Sequence, residues 1–338
     1  MNALTRPTLS GAAARRIASN GARIVVVGAS GWLGLASLEL LRNLLGSDFD
    51  RRVVCFGSSD RALPLRGGVS VMQRSLDQIT DLPEAPTLVL HLAFLTQEKL
   101  INHTLESYRA ANRAISGRVL AALGPLGATA AFVPSSGAVY SVGEEGLERR
   151  KQLYGQLKRE DEDRFSDWSV KQGTRAVVSR VFNLSGPYIN KQQDYALACF
   201  IADALADRPI RIQATQPVYR SFVAIRELMS VVFSLLTDGE TGPILFDTAG
   251  ERAYEMSEIA EVVCTVLGRP QEIDRPILSR TDSNLYLGDG TAYAALCRAQ
   301  GVELVDFPNQ ILETARYMAT ASMILASPSD EGSTDAAL

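Results

Sequence analysis

One run near the start of this 338-residue chain limits its fold more than any other: Arg23-Ile-Val-Val-Val-Gly-Ala-Ser-Gly-Trp-Leu-Gly34, which leads into an amphipathic stretch ending at Leu45. A β-branched strand here meets three glycines in the pattern G-x-x-G-x-x-G at the mouth of a helix. The first glycine, Gly28, permits a tight turn. Gly31 lets the backbone approach a pyrophosphate, and Gly34 lets helix and strand pack closely. The helix N-terminus, at Trp32 and Leu33, adds free N–H donors. The pattern predicts a dinucleotide site built from Gly28, Gly31, Trp32, Leu33 and Gly34.

The same rhythm recurs downstream. Short apolar runs at Val53–Gly57, Val69–Met72, Thr87–Leu92, Ala128–Pro134 and Arg175–Phe182 alternate with helical stretches at Leu105–Leu123 and Lys151–Gln172. Strands apolar on both faces, separated by helices, predict an α/β chain with a Rossmann-type, doubly wound parallel sheet. After Gly186-Pro187 the rhythm changes to a helix near Tyr195–Asp207, strands near Ile210–Gln213 and Phe222–Ile225, and a helix at Glu227–Asp238. This predicts a dinucleotide domain over 21–185 and 220–248, and a smaller C-terminal substrate-binding region over 186–219 and 249–325. Residues 1–20 are expected to be flexible, and 326–338 to form a mobile tail.

Composition removes several alternatives. With 34 Lys plus Arg against 38 Asp plus Glu, the net charge of −4 gives no field to draw nucleic acid. The four cysteines, Cys55, Cys199, Cys264 and Cys297, form no C-x-x-C pair, and only His91 and His103 could join them, so no metal site is expected. Reduced thiols and a start without an apolar signal core point to a cytoplasmic protein. The uncharged stretch Val119–Gly143 is broken by Pro125 and Pro134, so it reads as helix end, loop and buried strand and not as a membrane span.

A dinucleotide's 2′ position is read at the end of the second strand, where an acid favours NAD and a base accommodates a 2′-phosphate. Gly57 occupies that end, followed by Ser58, Ser59, Asp60 and Arg61. Ser58, Ser59 and Arg61 suit a phosphate, which favours NADP. The alternative is NAD, with Asp60 on the ribose and Arg61 in solvent.

Tyr154 and Lys158 stand four apart, hence on one helix face. A lysine cation beside a phenol favours the phenolate, so Tyr154 can exchange a proton with a carbinol or carbonyl oxygen. Ser136 ends the fifth strand and can stabilise charge developing on that oxygen.

Together, Gly28–Gly34, His91-Leu-Ala-Phe94, Asn112 with Gly117, Ser135–Tyr140, Tyr154–Lys158, Arg180–Pro187 and Arg220–Val223 resemble the extended short-chain dehydrogenase/reductases, and within them the nucleotide-sugar epimerase/dehydratase branch. The resemblance implies a catalytic trio of Ser136, Tyr154 and Lys158, with Lys158 also on the nicotinamide ribose. It implies Leu92 and Ala93 along the cofactor and Leu76 beside the adenine. Asn183 and Arg220 are implied as ligands of a nucleotide-diphosphate sugar, with Arg280 as a second phosphate ligand. It also implies a homodimer through Leu105–Leu123 and Lys151–Gln172.

One departure bears on the reaction. Where the branch's 4,6-dehydratases carry an Asp-Glu pair after the catalytic hydroxyl, this chain has Gly137-Ala138, so dehydration is not expected. The expectation is an NAD(P)-dependent oxidoreductase, with a ketosugar reductase favoured. The rivals are an epimerase with tightly held NAD, a reductase of a non-sugar hydrophobic ketone, and a non-catalytic NADP sensor.

Overall fold

The β-branched runs become the interior of an eight-stranded sheet in the computed structural model, which describes residues 7–326. Its strands are β1 (Arg23–Val27), β2 (Val53–Gly57), β3 (Arg61–Leu65), β4 (Val69–Ser75), β5 (Thr87–His91), β6 (Ala128–Ser136), β7 (Arg175–Val181) and β12 (Gly242–Asp247), in the order β12-β7-β6-β5-β1-β2-β4-β3. All neighbours are parallel except β3, which turns back along β4. Every residue of β5 and four of the five in β1 are buried, as strands covered on both faces require.

Helices α1 (Gly11–Asn20), α2 (Trp32–Leu45), α3 (Phe49–Arg52), α4 (Leu105–Leu123) and α5 (Arg149–Gln172) surround this half of the molecule. One face of the sheet packs through Ile24, Val26, Leu90 and Phe132 against Leu38 and Leu41 of α2. The other packs through Val25, Val27 and Val89 against Val119 of α4 and Phe165 of α5. The stretch Val119–Gly143 is the end of α4, a loop and β6. Among the described residues, no helix is long and apolar enough to cross a membrane.

Beyond β7 lie β8 (Leu184–Ser185), α6 (Ala196–Leu205), β9 (Ile210–Arg211), β10 (Val218–Arg220), β11 (Val223–Ala224) and α7 (Ile225–Leu236), after which β12 rejoins the sheet. Then follow β13 (Tyr254–Glu255), α8 (Met256–Leu267), β14 (Ile273–Asp274), β15 (Asn284–Tyr286), α9 (Gly290–Ala299) and α10 (Phe307–Ala326). Phe200, Ile201, Ile259, Val263, Phe307 and Ile311 join α6, α8 and α10 into a separate apolar core.

Two elements differ from expectation. Residues 11–20 are not flexible: they form α1, capped by the Ser10 side chain, with Ala13 and Ile17 buried and the Ser10 amide donating to Ser230 Oγ of α7 at 2.9 Å. A single large apolar residue on a short alanine-rich stretch is too weak a pattern to announce a docked helix. The tail expected over 326–338 falls outside the described residues from 327 onward. Strand β3 was also unforeseen, because Pro64 argues against a strand. It is tolerated here at the sheet edge, where Leu63 and Leu65 point inward.

Candidate active site

The glycine turn lies where the chain's crossovers diverge, at the C-terminal ends of β1 and β5. Gly28 has φ +86°, and a Cβ there would lie 2.5 Å from the Ala93 nitrogen. At Gly34 a Cβ would lie 2.4 Å from the Ala29 carbonyl oxygen. Helix α2 begins without a side-chain cap at Gly31 and without an acid in its first turn. Its free N–H groups and positive dipole end therefore suit an anion, and these residues fit a dinucleotide pyrophosphate. Leu92 and Ala93 continue from β5 along the turn. Leu76 is buried with Phe56 and Ile79. Trp32 donates from Nε1 to Pro187 O at 2.9 Å and packs edgewise on Tyr195 at 5.2 Å.

At the 2′ end, a Cβ on Gly57 would lie 2.3 Å from Cδ of Gln73, whose Nε2 donates to Ser59 O at 2.8 Å. Gln73 thus fills the place a carboxylate at position 57 would need. The Asp60 carboxylate is drawn back toward β4, accepting from the Ser75 amide and from Gln78 Nε2 at 3.1 Å. Ser58, Ser59 and Arg61 are exposed.

The fold gathers the trio. Ser136 is the last residue of β6, and Tyr154 and Lys158 lie on successive turns of α5. Gly155 permits the close approach, since a Cβ there would lie 2.6 Å from Ala138 O. The Ser136 hydroxyl acts to lower the Tyr154 pKa, but burial prevails and holds the phenol above its usual value. The expected lowering by Lys158 is not seen, and the phenol carries its proton at neutral pH. Lys158, 7% exposed, donates from Nζ to Pro134 O at 2.9 Å. Burial pulls its ammonium down to about 8, against the opposing pull of Asp161 and Glu162. The Phe94 ring lies over that ammonium, 3.7 Å from centroid to Nζ, and meets the Tyr154 ring edgewise at 5.7 Å.

Behind the trio, Glu162 takes a two-pronged contact from Arg180, with Nη2 at 2.7 Å, and a bond from Ser135 Oγ at 2.5 Å. Arg180 Nη1 reaches the Tyr140 hydroxyl at 2.9 Å, and that hydroxyl donates to Asp247 at 3.0 Å. This chain of bonds ties the loop after Ser136 to the end of β12. Phe182 presses on the same loop, so that a Cβ on Gly137 would meet its ring at 2.4 Å.

Between α6 and β10 lies a cavity of about 430 Å³ whose lining includes Asn183, Tyr195, Phe200, Arg211, Gln213 and Arg220, but no member of the trio. Arg220 is half-buried and donates only to the Tyr219 and Asn284 carbonyls, at 2.7 and 3.3 Å. Among the described residues no carboxylate pairs with it, and burial lowers its pKa. Asn183 Nδ2 donates to Ser221 O at 3.1 Å. Arg280 is not brought into this group: it is exposed and pairs with Asp282 at 2.6 Å. Tyr286 of β15 lies between Arg220 and the trio, its hydroxyl 3.2 Å from Ser136 Oγ and its ring 5.8 Å from the Arg220 guanidinium carbon.

The model of the NAD dependent epimerase/dehydratase family matches residues 24–246. The chain belongs to that family. UDP-glucuronic acid decarboxylase 3 of Arabidopsis thaliana is 28% identical over 123 residues, 36% of this chain and 35% of that protein. GDP-6-deoxy-D-mannose reductase of Pseudomonas aeruginosa is 26% identical over 212 residues, 56% of this chain and 66% of that enzyme. The match thus spans about a third to two-thirds of the curated relatives' length. Among solved structures, MoeE5 in complex with UDP-glucose and NAD superposes with a TM-score of 0.66 at 19% identity, over 89% of this chain and 99% of that one.

Within this epimerase/dehydratase frame, sequence reading missed Tyr286 and Glu162 and gave no role to Phe94 and Arg180, which lie in stretches that carried the resemblance. Glu162 carried a signal, because it continues the Tyr154–Lys158 face by one further turn. Tyr286 carried none, since only the return of β15 beside β10 brings it to Ser136.

Proposed function

We propose that this family member is an NADP-dependent reductase of a nucleotide-diphosphate ketosugar. The observation that carries the reading is Arg220, a half-buried cation with no counterion among the described residues, which lines a cavity and packs on Tyr286, whose hydroxyl meets Ser136. A guanidinium in that state calls for an anionic ligand, and its planar fork suits phosphate oxygens. A hydrophobic ketone would leave it unsatisfied.

A bound nicotinamide supplies the hydride that adds to the carbonyl carbon. This chain's residues handle the oxygen. Ser136 donates a hydrogen bond to it, Tyr154 gives it a proton as negative charge develops, and Lys158 holds the ribose and favours the phenolate left behind. Tyr154 carries its proton at neutral pH, and burial raises its pKa further, so it holds the proton that reduction consumes. Likeness to the GDP-6-deoxy-D-mannose reductase supports the same direction. Phe182, by filling the space at position 137, speaks against the acid pair that dehydration needs. Asp60, engaged by Ser75 and Gln78, and the exposed Ser58, Ser59 and Arg61 support NADP over NAD. Arg280 can serve as a phosphate ligand only by leaving Asp282. Homodimerisation through the outer faces of α4 and α5 and a cytoplasmic location complete the reading, and sedimentation of the purified protein tests the former.

The deciding assay follows absorbance of reduced nicotinamide with GDP- and UDP-linked 4-ketosugars. Wild-type turnover, its abolition in Tyr154→Phe and a raised KM in Arg220→Ala are expected. An unchanged KM in Arg220→Ala would favour an apolar ketone. Protein that retains NAD through purification and consumes none would favour epimerisation. No turnover at all, with NADP still bound, would favour a sensor.

A further inference from the structure

The Ser136 hydroxyl has one proton to give and two lone pairs to fill. Three groups surround its oxygen. The Ala138 amide donates to it at 3.2 Å, the Tyr286 hydroxyl lies 3.2 Å away, and the Tyr154 phenol is near enough for Ser136 to lower its pKa. Tyr286 arrives from β15, and its ring is held between Phe182, at 4.7 Å, and the Arg220 guanidinium, at 5.8 Å.

The 3.2 Å contact between the Tyr286 and Ser136 hydroxyls can be donated from either side, and the Ala138 amide serves both oxygens. Burial holds the Tyr286 phenol above its ordinary pKa, so at neutral pH it carries a proton that it can donate. Ser136 has a single proton, so when that proton serves the reacting oxygen Tyr286 must be the donor of their contact, and Ala138 and Tyr286 together fill the Ser136 lone pairs. Its proton then has one direction left, toward the Tyr154 oxygen, where the reacting oxygen of a substrate must arrive.

We infer that Tyr286 is a positioning residue whose hydroxyl aims the Ser136 proton at the reacting oxygen and whose ring, held by Arg220, links that aim to the anion bound there. The inference rests on the catalytic reading of Ser136 and Tyr154 above. It makes the phosphate end of a substrate contribute to the rate at the sugar end, since an anion that fixes Arg220 fixes Tyr286 as well. Binding energy remote from the reacting carbon would then appear in kcat and not only in KM.

The test uses the full-length wild type, Tyr286→Phe, Tyr286→Leu, Ser136→Ala and the double variant Ser136→Ala/Tyr286→Phe. Each is assayed for turnover of NADPH with a GDP-linked 4-keto-6-deoxyhexose and for calorimetric binding of GDP. Tyr286→Phe keeps the ring, so GDP affinity should hold while kcat falls by roughly 10- to 100-fold at unchanged KM. That loss is smaller than for removal of an oxyanion donor itself. Tyr286→Leu should weaken GDP binding as well. The double variant should be no slower than Ser136→Ala, because Tyr286 acts only through Ser136. Wild-type kcat in Tyr286→Phe, or losses that multiply in the double variant, would overturn the inference alone. Absence of turnover in the wild type would instead bring down the reductase reading beneath it.

Discussion

Replacing Lys158 by methionine should make the protein more stable and inactive. The side chain is 7% exposed and its ammonium titrates at about 8, against 10.5 for an unburied lysine. The native state therefore binds fewer protons than the unfolded chain between these values, and stability rises with pH across that window. Below about 8 the full cost of holding a buried charge is present. At about 1.4 kcal/mol per pH unit it amounts to about 3 kcal/mol. Methionine keeps the length of the stem and sheds the charge. It also gives up the bond to Pro134 O, worth about 1 kcal/mol, and the contact with the Phe94 ring, worth about 1 kcal/mol. The net expectation is a gain of about 1 to 2 kcal/mol at pH 7, shrinking and then reversing as pH climbs from 8 to 10.5. Urea unfolding at pH 7 and pH 10, with equal m-values, measures it. A variant less stable than wild type at pH 7, or an offset that ignores pH, would refute the argument that Lys158 is held at a cost to the fold for the sake of the site.

Three further outcomes follow from the geometry. Glu227 is buried, accepts from the Val305 amide at 2.6 Å and is pushed up to about 7 by burial. Wild-type stability should thus fall by about 3 kcal/mol between pH 4.5 and 7 on its account, and Glu227→Gln should remove that slope in denaturant titrations. Phe94→Ala frees the Lys158 ammonium for a ribose and should tighten NADP binding by roughly 10-fold in calorimetry, the worth of one partly desolvated cation–π contact; weaker binding would show that the ring supports the cofactor instead. Arg61→Ala should lower NADP affinity by about 10-fold or more and leave NAD binding unchanged, because a single charge-assisted phosphate contact is lost; equal effects on both would place Arg61 outside the 2′ pocket.

Much of this protein could be read along the chain because the governing constraints are local. A β-branched run buried on both faces must lie in a parallel sheet, and a glycine between β1 and α2 must sit where a Cβ would strike backbone. Tyr154 and Lys158 share a face by helical period alone. These rules act over a few residues, so they yielded the Rossmann sheet, the glycine turn at the mouth of α2 and the helix face that Tyr154 and Lys158 share. What escaped depends on chain segments far apart in sequence. Gln73 fills the space over Gly57 because β4 lies beside β2, and Phe94 covers Lys158 because the segment after β5 folds over α5. Arg280 lies near the cavity in sequence order but pairs with its own neighbour Asp282, a choice set by loop geometry. Tyr286 meets Ser136 across 150 residues. Periodicity and turn chemistry report what each segment prefers, whereas partners across the sheet are selected by packing and desolvation, and those exist only once the chain has closed.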